Sequence, residues 1–388
     1  MNLYIVLKLK KILKTSMFFI VLILLLTLSE ANFNSVSVSI NMFLNKVFPS
    51  LFPFMLFTEI LLSTNVIDSI SRKFEKILYK FFRISPHGVS AIISGFLCGF
   101  PMGAKAVNVL YENSKISKKE AYYLLKFTNN CNPAFILSTI GIGLFKNIKL
   151  GILILISHYL SAIIIGCISN HLDDSLIIHE RNDNLKLLHK KTTKLRKKAY
   201  ILNEYNKTYL EKSNKRTNKK KNTNFMEIIK TSMFNSFKSL AMICGFIIIF
   251  NLISNSISML FNHFNISSKL AVIVSSILEM TTGSYNIYSS DFSYIMKICL
   301  ISFSLGFSGL SIIFQIYATI SKHNFSLKYL IKYKTLQGIL SFIITYALIN
   351  IKNISNINYI NILLLLVLIS LLYFLFRLVF TKNKKTVV

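Results

Sequence analysis

The chain has 388 residues, 53% of them apolar and only 15% charged, with a mean hydropathy of +0.54. Soluble domains carry about a quarter charged residues, so a water-soluble enzyme is excluded, and the apolar fraction equally excludes an intrinsically disordered chain. The 45 Lys and Arg outnumber 15 Asp and Glu, but this excess falls between long apolar runs, the pattern of a membrane protein and not of a nucleic-acid-binding one.

A bilayer-spanning helix needs about 20 mainly apolar residues. In chain order the predicted spans are 16–30, 43–64, 120–145, 148–169, 236–261, 292–319, 333–351 and 357–378. Two further apolar stretches, 86–104 and 268–286, are rich in Gly, Ser, Thr or Pro and read as re-entrant or broken segments. The first span follows Lys8, Lys10, Lys11 and Lys14, and no small-residue cleavage site follows Leu28, so it reads as an uncleaved anchor.

Orientation follows from the basic clusters: the N-terminal tail, Arg72 to Arg83, Lys115 to Lys119, Arg377 to Lys385, and 171–230 with 16 Lys and Arg against 7 acids. All reach the cytoplasmic side if 86–104 dips in and returns, and 268–286 dips from the opposite face. The predicted fold is therefore an all-α polytopic membrane protein. It has about eight transmembrane helices plus two re-entrant or broken segments, built as an inverted repeat with both termini inside.

The predicted organisation is an N-terminal tail and anchor (1–42), a first repeat (43–170), a basic polar cytoplasmic linker (171–231), a second repeat (232–351) and a C-terminal transmembrane helix with basic tail (352–388). The linker is suited to anionic membrane lipid. Sequence echoes between the halves pair Glu59 in LFTEILLST with Glu279 in SILEMTTGS, and Gly99-Phe100-Pro101-Met102-Gly103 with Gly306-Phe307-Ser308-Gly309.

Three stretches are candidates for a site. In the first, Gly95, Gly99, Pro101 and Gly103 break any continuous helix. Pro101 suits the first turn of a new helix whose free N–H groups favour an anion, and Lys105 one turn on adds a positive charge. Close packing of small residues with a snorkelling Lys105 is the alternative. In the second, Asn129, Asn130 and Asn132 before Pro133 either bind a polar ligand or satisfy the carbonyls freed by a kink. In the third, Glu279 precedes Thr281, Thr282, Gly283 and Ser284, a hydroxyl-rich turn suited to a hairpin tip. Glu59 and Glu279 are the acids inside apolar runs, and such carboxylates default to function, as coupling groups that relay a proton or as partners of a cation; a position near the interface is the alternative. Gly306, Ser308 and Gly309 repeat the broken pattern. The five Cys lie in apolar or small-residue surroundings without CxxC spacing, so neither a metal nor another cofactor is expected. No catalytic constellation is present, so an enzyme is not expected.

SGFLCGFPMGAK, followed by ISKKEAYYLLKFTNNCNPAFILSTIGIGLF, resembles the signature region of the YlbJ-type sporulation integral membrane proteins, within the group carrying the nucleoside-recognition Gate domain. ILEMTTGS and SFSLGFSGLSIIFQ extend the likeness, which covers about 45–350. The resemblance implies a fold related to concentrative nucleoside transporters and movement of dipicolinate, a small anionic substrate, across the outer forespore membrane from the mother cell. Carried over, the motif points to Gly99, Pro101, Gly103, Lys105, Asn129, Asn130, Asn132 and Pro133, and then to Glu279, Thr281, Thr282, Gly306, Ser308 and Gly309. Alternatives are a nucleoside or metal-ion transporter of the same fold, or a non-transporting scaffold of a sporulation membrane complex.

Overall fold

The computed structural model describes residues 29–64, 73–74, 77–172, 225–323 and 325–351. The predicted anchor up to residue 28, the linker over 173–224 and the predicted span 357–378 lie outside them. The described residues are helical, with no strand among them.

The chain enters on α1 (Ser29–Met42), which runs through a π-helical turn, Phe43–Val47, into α2 (Phe48–Ser63). Pro49 and Pro53 have no N–H to donate, and the π turn just before them absorbs the lost register. The boundary drawn at 42/43 therefore falls inside one long helix, since no Gly or Pro interrupts 30–47.

Next comes a helical hairpin, α3 (Pro86–Leu97) and α4 (Met102–Glu112), which turns at Cys98 to Pro101. Gly99 has φ +81° and the Phe100–Pro101 peptide is cis. Ser85 caps α3 by accepting from the Gly88 N–H.

The predicted span 120–145 is not one helix. It splits into α5 (Lys118–Leu125) and the π-helical α6 (Phe135–Leu144), with 126–132 outside any helix. Three Asn and Pro133 compete too well for the backbone to let a helix run through. Then α7 (Ile148–Leu172) packs back on α6, Gly151 meeting Gly141.

The second half repeats this order. A long helix, α8 (Phe225–His263), leads into a hairpin of α9 (Ser268–Leu278) and α10 (Met280–Ser289). A broken helix follows, α11 (Tyr294–Phe307) and α12 (Gly309–Ile320), and α13 (Leu327–Ile351) closes the half. Helix α8 begins inside what the sequence assigned to the linker. The hairpin tip is Glu279 itself, extended at φ −140°, while Thr281 and Thr282 lie in the first turn of α10.

This order corrects the sequence echoes. Gly99 to Gly103 form a hairpin tip, whereas Gly306 to Gly309 lie at a break within a helix. By position in the order, the 98–101 tip pairs with Glu279, and the 126–132 break with Ser308. Glu59 sits on α2, a different element from Glu279.

Two layers result. In Glu30–Leu61 and Phe225–His263 only 17% and 28% of the apolar window is buried, against 78% in Tyr294–His323. The two long helices pack on each other, with Phe54, Phe57, Phe234 and Ile249 exposed on them. Such faces suit lipid. Hairpins, broken helices, α7 and α13 form the inner body.

Candidate functional site

Each hairpin tip is seated on a helix break, and the seating is built from missing side chains. A Cβ on Gly95 of α3 would lie 1.6 Å from the Thr128 carbonyl oxygen, and one on Gly103 of α4 2.3 Å from the same atom. A Cβ on Gly99 would meet Asn132 at 2.8 Å. In the second half the glycine is on the break: a Cβ on Gly309 would sit 2.9 Å from the Met280 nitrogen. Ser308, at φ +76°, and Gly309, at φ +68°, make that turn. Gly306 instead allows close packing on Gly338 of α13.

Hydrogen bonds from several elements reach the unwound segment 129–132, whose buried backbone needs partners. Lys334 of α13 donates to the Asn129 carbonyl. The Cys131 N–H donates to His158 Nε2 at 3.0 Å, and the single proton of the Tyr159 hydroxyl is shared between Phe96 O and the more distant Cys131 carbonyl at 3.3 Å. The Ala104 N–H donates to Asn129 Oδ1 (2.7 Å), Gln337 Nε2 to Asn130 Oδ1 (2.9 Å) and Asn132 Nδ2 to Cys98 O (3.2 Å). Asn132 Oδ1 accepts from the Ala134 N–H at 2.7 Å, capping the helix that Pro133 opens. Of the two readings of the Asn cluster, the geometry favours satisfying the break.

Glu279 is fully buried. Its Oε2 accepts from the Thr282 N–H at 2.7 Å and Oγ1 at 2.9 Å, capping α10, while Oε1 has no hydrogen-bond partner. It lines a narrow cavity of about 20 Å³ with Phe100, Cys131, Asn132, Thr281 and Ile312. Val47 and Leu51 of the first long helix and Ile243 and Ile247 of α8 close the wall. Both tips and elements from both breaks thus meet at one point, where there is room for about one water.

Lys105 lies half-buried on hairpin arm α4. It forms an ion pair with Glu59, whose other oxygen accepts from Asn235 Nδ2 of α8 at 3.4 Å. Neither Lys105 nor Glu59 lines the cavity. Their charges offset each other and tie hairpin arm α4 to the outer layer. Neutralising one partner strands the other charge, so Glu59→Gln and Lys105→Met should each destabilise more than the double variant does. A coupling of roughly 1–3 kcal/mol is expected in a melting double-mutant cycle, and strictly additive losses would remove the pair from the account.

Sequence reasoning overlooked Lys334, Gln337, His158 and Tyr159. Lys334, Gln337, Ser341 and Thr345 recur every three to four residues along α13 and are all buried. That polar stripe in an apolar helix was the available signal. Among the described residues no three His, Cys, Asp or Glu gather as metal ligands would.

Helices long and apolar enough to cross a bilayer, two hairpins and two broken helices around a buried polar point define an integral membrane protein built to hold irregular backbone away from lipid. Residues 44–166 match the Gate family, described as nucleoside recognition. The chain is also similar to the sporulation integral membrane protein YlbJ of Bacillus subtilis (strain 168), with 27% identity over 346 residues that cover 86% of this chain and 81% of that protein. The resemblance drawn from the sequence is thereby borne out. No solved structure matches the chain.

Proposed function

We propose that this protein is a transporter of the endospore-forming cell that moves dipicolinate across the outer forespore membrane. Convergence of both hairpin tips and both helix breaks on one buried cavity carries this reading. Discontinuous helices around a central point are how secondary transporters build substrate sites. The two units take opposite orientations in the bilayer. Parting of the tips, by rocking of one unit against the other, opens the cavity to a planar anion. Glu279 then sets a condition on entry. A dianion beside a buried carboxylate is repelled unless that carboxylate carries a proton, so anion movement is coupled to a proton at Glu279.

A second reading is supported by the same residue. An unpaired carboxylate oxygen suits the hydroxyls of a neutral nucleoside, and Lys105 is already engaged with Glu59. Uptake of labelled dipicolinate, nucleosides and divalent metals into vesicles holding the purified protein separates them. The expected result is dipicolinate uptake that rises with an inward proton gradient. Nucleoside uptake alone moves the assignment to the second reading, metal uptake alone moves it to a metal-ion transporter, and transport of none of them leaves a scaffold.

A further inference from the structure

Lys334 is 2% exposed, and among the described residues no carboxylate pairs with it. A buried ammonium without a counter-ion is costly unless its three donors are all met. Here they face the Asn129 carbonyl, Gln337 Oε1 at 2.8 Å, and the Phe100 ring with its centroid 5.4 Å away. A main-chain carbonyl of an unwound helix, an amide oxygen and an aromatic face are cation ligands, and none of them is a group that binds anions. Carbonyls freed by a broken helix are where transporters hold a mobile sodium ion. Lys334 reaches this place from α13 of the second half, while Asn129 and Phe100 belong to the first half.

We propose that Lys334 is a tethered cation occupying a monovalent-cation site at the first helix break, so that this site takes up no ion from solution. Its charge stays with the protein through every conformational cycle and joins the two halves at the break. Neither sodium nor potassium is then consumed here, and any coupling ion acts elsewhere. The inference extends the transporter reading, but its test reads backbone protection and not transport, so each can fail without the other.

The test is amide hydrogen exchange over 126–134 in the full chain in detergent, in sodium chloride or choline chloride of equal ionic strength. In the native chain these amides should exchange alike in both salts, whereas sodium-dependent protection would mean that the site takes a free ion and would overturn the proposal. In Lys334→Ala, protection in choline should fall at least roughly tenfold and return in sodium or methylammonium. Lys334→Met, which fills the space without the charge, should show the loss with far less recovery. Recovery of neither variant in any cation, or full protection of Lys334→Met in choline, counts against a cation role. If Lys334→Ala does not fold, the native-chain comparison decides alone.

Discussion

Gly95→Ala should destabilise this protein by more than about 3 kcal/mol, a large effect for one methyl group. The added carbon would sit 1.6 Å from the Thr128 carbonyl oxygen, and the obstacle is main chain, so no side-chain rotation relieves it. Hairpin arm α3 must lift from the break, and Gly103 and Gly99, seated on Thr128 and Asn132, must lift with it. Gly245→Ala in α8 is the matched control. Nothing lies within 4 Å of its added carbon, and a helical Gly→Ala change there should stabilise by up to about 1 kcal/mol. Melting followed by size-exclusion chromatography, with vesicle uptake on whatever remains folded, compares the two. Equal melting of Gly95→Ala and the parent would mean that the hairpin is not held against Thr128.

Glu279→Gln should leave the fold nearly intact and lower transport at least about tenfold. The amide oxygen still accepts from Thr282, so the cap on α10 persists, whereas the group that takes and releases a proton is gone. Without a group that carries the proton, anion movement no longer follows the proton gradient, and a tenfold loss of uptake corresponds to roughly 1.4 kcal/mol. Glu279→Ala should in addition lose about 0.5–2 kcal/mol of helix capping. Wild-type uptake by Glu279→Gln at every proton gradient would remove the carboxylate from the mechanism. Loss of melting temperature equal to that of Glu279→Ala would show that the charge serves the fold.

Both hairpins were legible because Gly and Pro act locally. Gly95, Gly99, Pro101 and Gly103 forbid a continuous helix whatever surrounds them, and an acid at Glu279 inside an apolar run marks a position that lipid does not reach. The pairing of the halves was not legible. A Gly-Phe pair says that backbone comes close to something, but not whether the chain turns back, as at Gly99, or continues, as at Gly306. The ion pair of Lys105 was hidden for a related reason. Its partner Glu59 is 46 positions away on α2, and no periodicity reports such a contact. Lys334 was hidden by company: Lys328 and Lys332 precede it on α13, and a third lysine near the start of a span looks like another interfacial one. Only its register with Gln337, Ser341 and Thr345 separates it from them.

The two tips are chemically unequal, and with the two units oriented oppositely, as proposed, the two sides of the membrane are energetically unequal. Lifting the first tip from Asn132 wets the Phe100 ring, and exposing such a side chain costs about 1.5–3 kcal/mol. Lifting the second from Gly309 admits water to Glu279, whose free oxygen gains hydration. At rest, therefore, the protein should breathe toward the face served by the second hairpin and stay sealed on the other. On the proposed transport reading, that bias sets the face on which a ligand is first met, while the direction of net movement is left to the gradients.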